Sequence, residues 1–186
     1  MPRLSRPAAV FAVLALGLAG CGAKNAEATA KGPAATPATG TTITSKYFSY
    51  KAPEGWEKPA KSFPGLVGVA GDTNDHDGFT DNINVVRIAP ATILGTKAIE
   101  TASVKELKSA HATHIETLAP QDIDGDDAAH VTSVGALTKG TYIVEQFAVV
   151  HDKASYVITF SFSPDVPRAR QSELSQSVLA TWHWAD

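Results

Sequence analysis

The chain has 186 residues, of which 44% are hydrophobic and 19% charged, and it carries a net charge of −3. That length and balance suit one globular domain with a core of its own, and the charge excludes the basic footprint of a nucleic-acid binder. The single cysteine, Cys21, excludes an internal disulfide and a cysteine-rich zinc site.

Arg3 and Arg6 make a short positive start, and residues 8–18 form an uncharged apolar run. A bilayer span needs ~20 apolar residues, so this run is too short to cross. It has the length of the apolar region of an export signal. Leu18-Ala19-Gly20-Cys21 then resembles the lipobox of bacterial lipoproteins. In such proteins a peptidase cuts just before the cysteine, whose sulfur, the best side-chain nucleophile, carries a diacylglycerol. The resemblance implies a signal peptide over 1–20, lipidation at Cys21 and a membrane partner reached through that lipid. Two or more acyl chains anchor stably where one does not. It places the protein, exported, on the outer face of the cytoplasmic membrane. A plain secretory signal with an incidental cysteine is the competing reading. Without Arg3 and Arg6 the chain has 14 basic against 19 acidic side chains, a balance that an anionic leaflet repels. The lipid must therefore do the holding.

Residues 22–42 read GAKNAEATAKGPAATPATGTT, with no aromatic and no large aliphatic side chain. Such a segment cannot bury enough apolar surface to offset its ordering entropy. With Cys21 it is a flexible tether over 21–42, reaching at most ~70 Å when extended. The globular domain follows over 43–186.

ITSKYFSYKAP predicts a first strand from Ile43, and PEGWEKP a turn carrying Trp56. GLVGVAGD (65–72) and NINVVRIAP (82–90) predict two more strands. Over 97–112 the spacing becomes helical, with Ile99, Val104, Leu107 and His111 on one stripe. Ser103 and Glu106 would also fit a capping box. THIETLAPQDI and AHVTSVGAL are strands around the turn-like DGDD. YIVEQFAVVHD (142–152) and SYVITFSFS (155–163) form the strongest strand pair. The first is apolar on both faces, which demands a layer above and below it. The second shows Tyr156, Ile158, Phe160 and Phe162 on one face, and the smaller, half-polar Ser155, Val157, Thr159 and Ser161 on the other. Asp165 is placed as the N-cap of a last helix, lined by Leu174, Ser177, Val178 and Thr181. The order of elements defines an α+β fold, an antiparallel sheet flanked by helices.

The opening YFSYKAPEGW resembles the aromatic-x-Pro-x-Gly-Trp start of PsbP-like domains, and ASYVITFSFSP followed by an amphipathic helix resembles their ending. Joined to a lipobox and an Ala/Thr/Pro tether, the chain is similar to actinobacterial lipoproteins of the LpqN type. The resemblance implies an α/β/α sandwich, no catalytic residues, and a role in assembly or interaction at the cell envelope.

The candidate chemistry lies in four places. GDTNDHDGFTDN (71–82) holds Asp72, Asp75, Asp77 and Asp81, a carboxylate density that suits calcium or magnesium. An EF-hand is excluded, because Thr73 and Asn84 fall at its first and twelfth positions. Asp, Asn and Gly also form solvated turns, which is the competing reading. DIDGDD (122–127) packs four carboxylates and is either a cation loop or a hairpin turn. His111 and His114, three apart, would share a helix face, but zinc needs a third ligand that no motif supplies. His183 lies between Trp182 and Trp184, forming either an aromatic ligand surface or a chain end pinned by tryptophans. No nucleophile elbow, S-x-x-K or phosphate-binding glycine motif is present. The sequence thus assigns no catalytic, cofactor-binding or metal residue, and no cofactor is expected. The function that follows is a lipid-anchored, non-enzymatic binding or adaptor module for an envelope protein or a lipid or glycan intermediate. An envelope hydrolase or metal-dependent enzyme with an unrecognised site is the alternative.

Overall fold

The computed structural model describes residues 35–93 and 95–185. The export signal, Cys21 and the tether as far as residue 34 lie outside the described residues. Ala38, inside the stretch assigned to the tether, is already packed: its side chain is buried and its N–H donates to the Ser177 carbonyl at 2.9 Å. Gly40 follows at a place where a Cβ would stand 2.3 Å from the Pro53 carbonyl oxygen. Only glycine lets the entering chain lie that close to backbone.

The single first strand expected from Ile43 is two strands, β1 (Thr42–Thr44) and β2 (Phe48–Lys51). Ser45 makes the break, its hydroxyl accepting the N–H groups of Tyr47 and Phe48 at 3.1 and 3.3 Å. The turn expected at PEGWEKP contains a short strand, β3 (Trp56–Glu57). Then come β4 (Leu66–Asp72), β5 (Asn82–Ile88), α1 (Thr96–Ser109), β6 (Thr113–Ile123), β7 (Asp126–Ala136), β8 (Thr141–His151), β9 (Ala154–Phe162), α2 (Arg168–Leu179) and β10 (His183–Trp184). Strands β1-β2-β10 make a small antiparallel sheet. The rest form a seven-stranded sheet in the order β3-β4-β5-β9-β8-β7-β6, all neighbours antiparallel. The β8–β9 turn is Asp152-Lys153, with φ of 41° and 58°. Positive φ at both positions gives the turn whose twist matches that of the strands.

The strand period of two decides the layers. Ile83, Val85, Tyr156, Ile158, Phe160 and Phe162 line one face of the large sheet and are essentially fully buried. α2 and the small sheet cover that face through Leu174, Val178, Leu179, Phe48, Tyr50 and Trp182. α1 covers part of the other face, with Ile99 on Ala129 and Ala148, and Leu107 on Val131 and Val144. β8 is buried on both sides, as its composition requires. The architecture is an antiparallel sheet between a helix on one side and a helix with a small sheet on the other.

Three local expectations change. α1 buries Ile99, Ser103 and Leu107, and it ends before His111, which is exposed with φ 58°. Asp165 does not cap α2; the N-cap is Pro167, and no side chain caps the helix. The inner stripe of α2 includes the buried polar Gln171 and Ser175 beside Leu174 and Val178, while Ser177 and Thr181 are half-buried. Few apolar residues hold this helix, so its position depends on what lies beneath.

Beneath it is a stack of rings. Trp182 lies 4.5 Å from Phe48 and 5.2 Å from Tyr50, centroid to centroid, nearly parallel to Tyr50 at 4°. Phe48 meets Tyr156 of the large sheet edge-on at 6.1 Å. Trp182→Ala should lower stability to urea by about 3–5 kcal/mol, the usual cost of emptying a buried aromatic site.

Candidate functional site

The carboxylates of the 72–81 loop are engaged by the loop itself. Asp72 and Asp77 accept the N–H groups of Asn74 and Phe79 at 2.8 and 2.9 Å. Asp75 accepts from Asp77 at 3.2 Å and from Asp81 at 3.1 Å. Three of these bonds reach the N–H two residues on and shape the loop as Asx turns do, while the bond from Asp81 to Asp75 closes it. Asp81 is buried, and it accepts the Ser163 N–H at 2.6 Å. Burial first, then the nearby Asp75, Asp77 and Asp72, push its carboxyl up to about 6 against the pull of Ser163. Asp77 is held below the usual carboxylate range, first by the Ser163 hydroxyl and then by the Phe79 N–H.

The 122–127 turn clasps the end of the chain. Asp124 accepts the Trp184 N–H at 2.9 Å and lies 3.6 Å from His183 Nδ1. Asp126 meets His151 Nδ1 at 2.8 Å, and the His151 ring stacks on Trp184 at 4.3 Å. His183 and Trp184 are thus a terminal strand pinned by rings, and His183 itself is exposed. His111 and His114 are not brought together on a helix, since His114 is an exposed residue of β6. Among the described residues no three His, Cys, Asp or Glu side chains converge to hold a metal ion. None of the described helices is long and apolar enough to cross a membrane.

Two groups escape sequence reasoning. His130 and Glu145 form a buried pair, Nε2 to Oε1 at 2.8 Å, with the His130 ring stacked on Phe147 at 4.3 Å. The visible trace was a lone Glu inside the apolar run 142–150. The second group lies on the face that α1 only partly covers. Opposed residues of paired strands share a face. The register therefore aligns Val69, Asn84, Thr159 and Gln146 in one row, and Gly71, Asn82, Ser161 and Val144 in the next. Leu66, Val86, Val157 and Ala148 form the row on the other side. α1 packs on β6, β7 and β8, and over β4, β5 and β9 this face stays half-buried except at Ser161, which is buried. Phe79 stacks on Tyr142 at 5.5 Å beside it. The trace here was Asn82-x-Asn84 together with the half-polar face of β9.

Two clefts also open to solvent. One of about 280 Å³ lies over the small sheet, between Thr42, Ser49, Lys51, Thr181 and His183. The other, about 360 Å³, runs under the start of α2, floored by Thr132, Val134 and Ile143. An Arg168–Glu116 ion pair of 3.3 Å joins residues that line it.

No protein-family model matches the sequence, and no curated protein matches it. Solved structures do. LpqN, involved in cell envelope biogenesis of Mycobacterium tuberculosis, superposes with a TM-score of 0.56 at 14% identity, over 78% of this chain and 90% of that one. Cyanobacterial PsbP (CyanoP) from Synechocystis gives 0.53 at 17% identity, over 90% of this chain and 98% of that one. A protein from Bacteroides thetaiotaomicron gives 0.54 at 15% identity, over 79% of this chain; the chain spans 49% of that protein. The fold is PsbP-like, an α+β antiparallel sandwich.

Two outcomes test the carboxylates. The folded-state pKa of Asp81 lies above its ordinary 3.8, so protonation favours the folded chain. That stabilisation is complete below the ordinary value and is lost as pH rises through about 6. Asp81→Asn keeps an acceptor for Ser163 and removes the charge. It should be more stable than the parent at pH 7.5, and the gap should close toward pH 4 in urea titrations. Second, calcium, zinc or EDTA should leave the melting temperature unchanged, because the loop carboxylates are already engaged.

Proposed function

We propose that this protein is a lipid-anchored, non-enzymatic module of the cell envelope. Acyl chains on Cys21 hold it at the outer face of the cytoplasmic membrane, where it binds an envelope protein or a lipid or glycan intermediate. The observation that carries the binding role is the half-covered sheet: over β4, β5 and β9 the face beside α1 is half-buried and built of amides, hydroxyls and small apolar groups. The anchor rests on the lipobox, and the length of chain between Cys21 and Ala38 supports it. Those 16 residues would reach roughly 55 Å when extended, enough for the domain to search above the headgroups. The likeness in fold to LpqN supports an envelope setting of the LpqN type.

Cys21→Ala should move the protein from the membrane fraction into the soluble fraction without changing its melting temperature. Mass spectrometry of the native protein should find residue 21 at the N-terminus, carrying diacylglycerol on sulfur. An unmodified thiol on the native protein would overturn the anchor.

A further inference from the structure

We infer that the half-buried floor over β5 and β9, at the edge of α1, is a binding site for a neutral carbohydrate; this rests on the binding-module reading above and names its ligand class. The first argument is what the floor lacks. Its three rows over β4, β5 and β9 hold Leu66, Val69, Gly71, Asn82, Asn84, Val86, Val157, Thr159 and Ser161, with no charged side chain among them; the Gly71 row continues to Glu57 on the edge strand β3, a carboxylate that disfavours an acidic ligand. A half-exposed sheet face usually carries charge for solubility, and a charged ligand would require an opposite charge there.

The second argument is what the floor contains. Asparagine is disfavoured in strands, yet Asn82 and Asn84 occupy the same face of β5, an interior strand. Local choices that oppose the fold cluster at functional sites. Asn82 Nδ2 donates to the Thr80 carbonyl at 2.9 Å, but the Asn84 and Gln146 amides retain hydrogen-bonding capacity. Asn84 Nδ2 reaches Asn82 Oδ1 only at 3.4 Å, and Gln146 Nε2 reaches Thr159 Oγ1 only at 3.5 Å, both near the limit of a real bond. Gln146 is 7% exposed, and its carbonyl oxygen is buried without a partner. Its amide leans from beneath α1 toward Thr159, on the open side. A ligand hydroxyl above Thr159 would draw that amide round and give the orphaned oxygen a donor.

The third argument is shape and size. Asn84, Thr159 and Gln146 lie on three adjacent strands, spanning about 10 Å at the usual strand spacing. The row of Val86 and Val157 borders them on one side, and the Phe79–Tyr142 stack stands near the other. Amides and hydroxyls with free donors and acceptors, bordered by apolar carbon, match the alternating hydroxyl and C–H surfaces of a sugar. A protein partner would be met better by exposed aromatic and arginine anchors.

The full lipidated chain in nanodiscs provides the test, by saturation-transfer NMR with cellotriose and maltotriose as neutral probes and tri-galacturonate as the charged control. At least one neutral trisaccharide should bind, and the charged one should bind at least tenfold more weakly. Asn84→Val and Thr159→Val should each weaken binding at least tenfold while keeping the parent's melting temperature, since valine suits a strand better than asparagine and is isosteric with threonine. Binding that both variants retain, or preference for the charged probe, overturns the assignment. A photoreactive residue at position 84 separates the two levels: crosslinking to an envelope protein with no sugar binding sinks the carbohydrate and keeps the binding module. Silence in both assays sinks both.

Discussion

The stack of Phe48, Tyr50 and Trp182 is the contact on which the architecture depends. It joins the beginning of the domain to its end, because Phe48 and Tyr50 lie on β2 and Trp182 directly precedes β10. Each ring buries a large apolar area, and parallel or edge-on pairs add about 0.5–1.5 kcal/mol beyond that area. With those rings in place, β10 pairs with β2, and the Ala185 N–H donates to the Tyr47 carbonyl at 2.9 Å. α2 has only Leu174, Val178 and Leu179 as sizeable apolar anchors, so the ring stack gives it the surface to rest on. The same packing leaves the Tyr50 hydroxyl and the Trp182 indole N–H buried without partners. Burial raises the tyrosine pKa. The polar cost is accepted where the apolar gain is greatest.

The large sheet is treated differently on its two faces. One is covered by rings and by α2, apart from the cleft over Thr132, Val134 and Ile143. Among the described residues the other receives one helix, too narrow to cover seven strands, and α1 sits over the β6-β7-β8 side. The uncovered strands still need tolerable solvation, which amides and hydroxyls supply without charge. Asn82 and Asn84 forgo the strand preference that valine would give, a loss that β5 can carry because it is paired on both edges.

Most carboxylates on conspicuous loops are used to build those loops. Asp72, Asp75 and Asp77 fold 72–81 around N–H groups, and Asp124 and Asp126 fasten the C-terminal strand and His151. The acidic runs thus serve as structural clasps in the molecule. The His130–Glu145 pair differs, being buried under the covered face. Such a pair is self-satisfying, but loss of either partner would strand an uncompensated polar group.

The strands around Tyr156 to Phe162 and Thr141 to His151 were legible because a buried strand repeats every two residues, and α1 because Ile99 and Leu107 repeat at helical spacing. The α+β class followed from those periods. The Ser45 break, the end of α1 before His111 and the uncapped start of α2 were not legible, since each turns on one or two local hydrogen bonds that compete with a continuing pattern. Asn84, Thr159 and Gln146 are separated by tens of residues, and only strand register places them in one row. The sequence by itself determined the elements and their apolar faces, because hydrophobic periodicity is a local property of the chain. Tertiary structure alone decided which half of the sheet stays uncovered and which side chains meet there, because strand order and helix placement depend on contacts between distant segments.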